Sequence, residues 1–318
     1  MERQILVPLD GSALSETVLP HAITMARATS SALALLRVVP NLGTIERRAW
    51  PGGSAVTEPR GPEREFQLAR AYLREIAAHL RGDGLEVSTH ILEGNPAAEI
   101  IDYSRNDATV AMVAMATHGR SGIGRWVFGS VAEKVLHAAT KPLLLVHSPA
   151  APARVLPRVA YHTILVPLDG STFADQALGL AQEMAQDTQA HLLLVAVVPP
   201  GEDPDVAEAG VVPLWVLEEH HGATCAVEQA LVDNVQRLAT LGLDVRMKIA
   251  HGRPAEEILK VATHEQADLI VMATHGRSGL ARLWMGSVAS KVVQSTTGAV
   301  LLLRAPAPVA ALAAAPGA

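Results

Sequence analysis

One eight-residue stretch of this chain is written twice. ILVPLDGS occupies Ile5–Ser12 and returns at Ile164–Ser171, 159 positions later. EGNPAAEII at Glu93–Ile101 is matched by HGRPAEEIL at His251–Leu259, an offset of 158. MATHGRSGIGRWVFGS at Met115–Ser130 is matched by MATHGRSGLARLWMGS at Met272–Ser287, an offset of 157. An offset that drifts by two residues across three separate matches marks a duplicated domain. Each copy is long enough to fold alone, unlike the short unit of a solenoid.

Composition fits two such domains. The chain has 318 residues, of which 49% are hydrophobic and only 3% aromatic, so each core is built from Ala, Val, Leu and Ile. The formal net charge of −6 argues against nucleic acid as a partner, because a basic face supplies much of that affinity. A single cysteine, Cys225, cannot form an internal disulfide. The N-terminal MERQILVPLDGS enters a strand pattern at once. Both features lead to the expectation of a reducing, cytoplasmic location. No apolar run reaches the roughly 20 residues of a membrane helix, so no membrane association is expected.

Within the first copy, strand and helix patterns alternate. Strands are expected at RQILVPL, ALALLRVV, LEVSTHI, TVAMVAM and PLLLVH. Helices are expected from Ser12 to about Thr29, from Glu63 to Leu80, from Pro96 to Arg105 and from Val131 to Ala139, with a Gly/Pro-rich loop at Pro40–Pro62. The second copy repeats this order, with its long loop at Pro199–Pro213. Alternation of this kind gives an α/β fold, here two tandem doubly wound, Rossmann-like domains with parallel sheets. The domains are expected at 1–147 and 161–304. A Pro-rich linker at 148–160 joins them and a disordered tail follows at 305–318.

In an open parallel sheet, ligands bind beyond the carboxyl ends of the strands, where the winding reverses. The Asp-Gly turns after the first strand of each copy, at Asp10 and Asp169, and the glycine-rich segments after the fourth are the candidate loops. Gly119 and Gly276 let backbone approach a ligand closely. Gly129-Ser130 and Gly286-Ser287 open helices whose free amides and dipole favour an anion. No lysine follows at P-loop spacing, and the dinucleotide fingerprint would follow the first strand rather than the fourth.

These residues resemble the universal stress protein family, in its tandem, ATP-binding-motif form. The family pattern is Gly, two residues, Gly, nine residues, Gly-Ser/Thr. Gly119, Gly129 and Ser130 match it, as do Gly276, Gly286 and Ser287. Ala116 and Ala273 stand where the family has its first glycine; alanine is small and keeps its N–H. The resemblance implies a five-stranded parallel sheet of order 3-2-1-4-5 in each copy and ATP as ligand, with magnesium carried by its phosphates. It implies nucleoside contacts from Pro8, Leu9, Asp10 and Val38, and from Pro167, Leu168, Asp169 and Val197. Phosphate-side contacts would come from Ala116, His118, Gly119, Arg120, Gly129, Ser130 and Val131. Their second-copy equivalents are Ala273, His275, Gly276, Arg277, Gly286, Ser287 and Val288. The fifth strands would pair the two copies as an internal pseudo-dimer, or two chains as a homodimer.

Several of these residues also have structural roles available. Asp10 and Asp169 suit a simple turn. SVAE at Ser130–Glu133 reads as a capping box, which SVAS at Ser287–Ser290 cannot form. Trp126 and Trp284 read as packing residues, His220-His221 as a solvated pair and Cys225 as inert. Without a general base paired to a nucleophile or water-positioning group, the chain reads as an ATP-binding sensor or switch in the stress response rather than an efficient enzyme. The alternatives are a slow ATPase and a nucleotide-free dimerisation scaffold.

Overall fold

The computed structural model describes residues 3–40, 62–117, 129–147, 159–198, 214–274 and 285–304. The chain divides into two compact units, Met1–Arg158 and Val159–Ala318. The expected loops at Pro40–Pro62 and Pro199–Pro213 lie almost wholly outside the described residues, as do nearly all of the linker and the tail.

The first unit runs β1 (Gln4–Pro8), α1 (Ala13–Glu16), α2 (Leu19–Ala28), β2 (Ala32–Val39), α3 (Pro62–Gly82), β3 (Val87–Glu93), α4 (Pro96–Asn106), β4 (Val110–Ala116), α5 (Ser130–Ala138) and β5 (Leu143–Val146). Its strands lie in the order β3-β2-β1-β4-β5 and every pairing is parallel. The second unit runs β6 (Thr163–Pro167), α6 (Thr172–Thr188), β7 (His191–Val198), α7 (Leu214–Ala239), β8 (Val245–His251), α8 (Pro254–His264), β9 (Leu269–Ala273), α9 (Ser287–Ser295) and β10 (Ala299–Leu303). Its order is β8-β7-β6-β9-β10, again parallel throughout. Both sheets therefore have the order 3-2-1-4-5.

The central strands are buried on both faces, which is why they read as unbroken aliphatic runs. Ile5, Leu6 and Val7 of β1 are at most 1% exposed, as are Ile164, Leu165 and Val166 of β6. Each such side chain contributes about 1.5–3 kcal/mol on burial. The edge strands β3 and β8 carry polar residues instead, among them His90, Arg246 and Lys248, which blunt edge-to-edge pairing.

One expected helix is two. The stretch after Ser12 breaks at Thr17–Val18, between α1 and α2. Pro20 is the cause: it has no N–H to give the Glu16 carbonyl, and its ring collides with that carbonyl in a continuous helix. The equivalent position in the second unit is Gly179, and α6 runs unbroken from Thr172 to Thr188.

Among the described residues, no helix is long and apolar enough to cross a membrane. No group of three or more His, Cys, Asp or Glu could hold a metal ion there either.

Candidate functional site

β1 and β4 are neighbours, and between them the winding of the first sheet reverses. The crevice at their carboxyl ends is built from three turns of chain. The first is the Asp-Gly turn after β1. The Ser12 amide and hydroxyl both donate to Asp10 Oδ1, the amide at 2.9 Å. Gly11 sits at φ +75°, a conformation that glycine alone adopts without strain. Ser12 then caps α1 by accepting from the Ser15 amide at 3.1 Å. The second unit repeats the turn: the Ser171 amide donates to Asp169 Oδ1 at 3.0 Å, Gly170 has φ +77°, and Ser171 caps α6 through the Ala174 amide. The aspartates are turn residues, and they also face the cavity described below.

The second turn is the start of the helix after the glycine-rich segment. The Gly129 amide donates to the Thr117 carbonyl at 2.9 Å, so the chain leaves β4 and returns to one point. Gly286 and Thr274 make the same bond at 2.8 Å. Gly129 and Gly286 are the N-caps of α5 and α9, and neither helix has a side-chain cap. The capping box expected at Ser130–Glu133 is therefore absent: Ser130 is the first helical residue, one position too late to cap. Ser287 holds the same place, so the two serines do not differ in this respect. The first intrahelical bond of α5 runs from the Glu133 amide to the Gly129 carbonyl. The amides of Ser130, Val131 and Ala132 precede it and lie at the positive end of the helix dipole.

The third turn is the start of α4, where Pro96 occupies the first helical position and Asn95 Oδ1 accepts from the Ala97 and Ala98 amides.

These turns enclose a cavity of about 240 Å³ in the first unit and one of about 250 Å³ in the second. Pro8, Leu9 and Asp10 line the first from the β1 side, Ala116 from the end of β4, and Gly129, Ser130 and Val131 from the start of α5. Val38 closes the β2 side. Pro167, Leu168, Asp169, Val197 and Ala273, with Gly286, Ser287 and Val288, do the same in the second unit. Of the expected site residues, His118, Gly119, Arg120, His275, Gly276 and Arg277 lie outside the described residues.

The cavity also has walls the sequence did not reveal. Pro96 and Ile100 of α4 line it, as do Met115, Thr117, Leu36 and Ser15. Pro254, Ile258, Met272, Thr274, Val195 and Ala174 take those places in the second unit. A signal was present: the EGNPAAEII and HGRPAEEIL repeat holds Pro96 and Ile100 with Pro254 and Ile258, but its spacing gives no hint that α4 packs against β2, β4 and α5.

Behind the Asp10 turn the first unit has a polar support. Ser15 Oγ donates to the Ser12 carbonyl at 2.8 Å and accepts from the Asp10 amide at 3.3 Å. Arg37 donates to the Leu9 carbonyl at 3.2 Å, and the Tyr72 hydroxyl donates to Glu16 at 2.9 Å. Burial, aided by the Glu16 carboxylate, holds the Tyr72 phenol well above its ordinary pKa. The second unit has alanine at all three equivalent places, Ala174, Ala196 and Ala230.

Chemically, one side of the first cavity is apolar, Val38, Ile100 and Met115 being each at most 9% exposed, and Val197, Ile258 and Met272 take those places in the second. The other end presents helix amides and a serine hydroxyl, with an aspartate on the rim between. Such a cavity accepts a flat apolar group at one end and an anion at the other.

Known proteins share this organisation. The sequence profile of the universal stress protein family matches residues 1–147 and again 160–304. A universal stress protein of Mycolicibacterium smegmatis is 28% identical over 309 residues, covering 95% of this chain and 97% of its own. The universal stress protein YxiE of Bacillus subtilis is 31% identical over 150 residues, 45% of this chain and 99% of its own. The crystal structure of a universal stress protein from Archaeoglobus fulgidus superposes with a TM-score of 0.65 at 21% identity, covering 95% of this chain and 96% of that one, and so shares the fold. The chain belongs to the universal stress protein family, with a family domain in each half.

Proposed function

We propose that each unit binds one adenine nucleotide, ATP, and that occupancy acts as a sensor or switch in the stress response without efficient turnover. The observation that carries this reading is the uncapped start of α5 and of α9, each opening onto a cavity whose far wall is apolar. The residues fit the two ends of a nucleotide. Adenine would lie against Val38, Ile100 and Met115. The ribose hydroxyls would donate to Asp10. The phosphates would accept from the amides of Ser130, Val131 and Ala132 and from the Ser130 hydroxyl. Val197, Ile258, Met272, Asp169 and Ser287 would do the same in the second unit. Ala116 and Ala273 end their strands at the cavity wall, and the reading requires that their methyl groups leave room for the ligand. A magnesium ion would be held by phosphate oxygens and water. The reading extends to a cytoplasmic location and a homodimer, the latter checked by light scattering of the full chain.

Calorimetric titration of the full chain with ATP tests the proposal. Saturable binding at two sites per chain is expected, lost when Gly129→Val and Gly286→Val fill the helix starts. Binding untouched by that double change overturns the site assignment. Phosphate release well above a protein-free control, abolished by Asp10→Ala with Asp169→Ala, would make the protein a slow ATPase instead. No adenine nucleotide bound at all would leave a scaffold.

A further inference from the structure

Resting on the nucleotide reading above, we propose that the two cavities differ in the charge of the adenine ligand they prefer. The second-unit cavity selects a nucleoside triphosphate over a monophosphate; the first discriminates much less between them.

The cavity walls are nearly the same. Thirteen of the fifteen lining positions carry the same residue in both units, the exceptions being Ser15 against Ala174 and Leu36 against Val195. The glycine-rich segments each carry two arginines at equivalent positions, 120 and 125 against 277 and 282. Among the described residues, the difference lies in the charges next to the two helix starts that border each cavity.

At the first, α5 has Glu133 in its first turn, directly after the three residues whose amides face the cavity. α9 has Ser290 there and no acidic residue in its first turn. A carboxylate in that position uses part of the helix-end potential and repels an incoming polyphosphate. At the second, Asn95 takes the Ala97 and Ala98 amides at the start of α4, while α8 has Arg253 as N-cap with no side-chain cap: Pro254 has no N–H and the Glu256 amide bonds the Arg253 carbonyl, which leaves the Ala255 amide beside a guanidinium that is paired with Glu256.

The flanking carboxylates differ as well. Glu93, Glu99 and Glu133 in the first unit form no ion pair among the described residues. In the second unit Glu256 is neutralised by Lys291 at 2.7 Å and Arg253 at 3.6 Å, and Glu257 by Lys260 at 2.6 Å. Glu93 is replaced by His251. Among the described residues of these flanking segments, the three carboxylates of the first unit are unpaired and the two of the second are both paired. Each further negative charge on a ligand therefore meets more resistance in the first.

The test is titration of the full chain with ATP and AMP, without divalent ions so that ligand charge is not masked. It is run on Gly286→Val to isolate the first cavity and on Gly129→Val to isolate the second. The ATP-to-AMP affinity ratio is expected to be about five- to tenfold larger in the second cavity at low salt, and the gap should narrow at high salt. Glu133→Ser should raise the ratio in the first cavity and Ser290→Glu lower it in the second, with AMP binding changed less than about twofold. Should the valine variants unfold, wild-type protein still decides: two separable ATP affinities and closely matched AMP affinities are expected. Equal ratios with both cavities occupied, or a ratio in the first cavity unmoved by Glu133→Ser, overturn this inference alone. No adenine nucleotide at either cavity overturns it together with the reading on which it rests.

Discussion

The Gly129 amide lies 2.9 Å from the Thr117 carbonyl oxygen. That bond ties the last turn of β4 to the first turn of α5 and fixes where the helix amides point. Gly129 sits at φ −60°, ψ 141°, which proline also adopts. Gly129→Pro therefore deletes the donor while keeping the backbone angles, and Gly129→Ala keeps both. Nucleotide affinity of the first cavity should fall about tenfold in the proline variant and stay within about threefold in the alanine variant, as one hydrogen bond contributes about 1 kcal/mol. Isothermal titration on a Gly286→Val background reads this directly.

Asp10 separates turn from contact. Asparagine still accepts from the Ser12 amide, so Asp10→Asn should melt within a few degrees of wild type. Asp10→Ala loses the acceptor and should cost about 1 kcal/mol. Both should weaken nucleotide binding in the first cavity about tenfold, because a ribose hydroxyl bonds a carboxylate more strongly than an amide. Wild-type affinity in Asp10→Asn would confine the residue to the turn.

Tyr72 supports the first unit only. Tyr72→Phe leaves Glu16 without its phenol donor and should destabilise that unit by about 1–2 kcal/mol. Ala230→Tyr at the equivalent exposed place should do less, since the place of Glu16 is taken by the shorter Asp175. Differential scanning calorimetry should show the transition of the first unit moving down in Tyr72→Phe and neither transition moving in Ala230→Tyr.

Acid should weaken the first unit in two stages. Burial lowers the His90 pKa below 6.5, and hydrogen bonds from Thr109 lower that of Asp107. Both folded-state values are depressed, so the unfolded chain binds more protons, and stability falls as pH drops. The histidine stage begins near its unfolded pKa of about 6.5 and the aspartate stage near about 3.9. Urea midpoints should decline through both windows, and His90→Gln should remove the upper one.

The fold was largely legible because its signals are local or repeated. Aliphatic runs marked β1, β2 and β4, and their recurrence after a fixed interval marked the duplication. Errors came where a single residue decides. Pro20 lies inside an apolar pattern that looks helical from Ser12 to Thr29, and its missing N–H and its ring together split α1 from α2. Ser130 fits a capping box by spacing, yet the Gly129 carbonyl accepts from the Glu133 amide, so Gly129 is the N-cap and the helix starts one residue early. The site was half legible: the Asp-Gly turns and glycine-rich segments advertise themselves. Ile100 and Met115 look like any core residues, and only tertiary packing turns them toward the cavity.

Asp10 and Ser130 border one cavity although 120 positions separate them in the chain. The cavity cannot exist until β4 has docked beside β1, a long-range pairing of the kind that forms slowly. Nothing in an unfolded chain would resemble it. A ligand held there is a ligand of the finished unit alone, and mass action then raises that unit's resistance to unfolding by about 2.7 kcal/mol at a hundredfold excess over its Kd. Through that linkage, the supply of ligand in the cell would set how long each half of the chain survives heat or proteolysis.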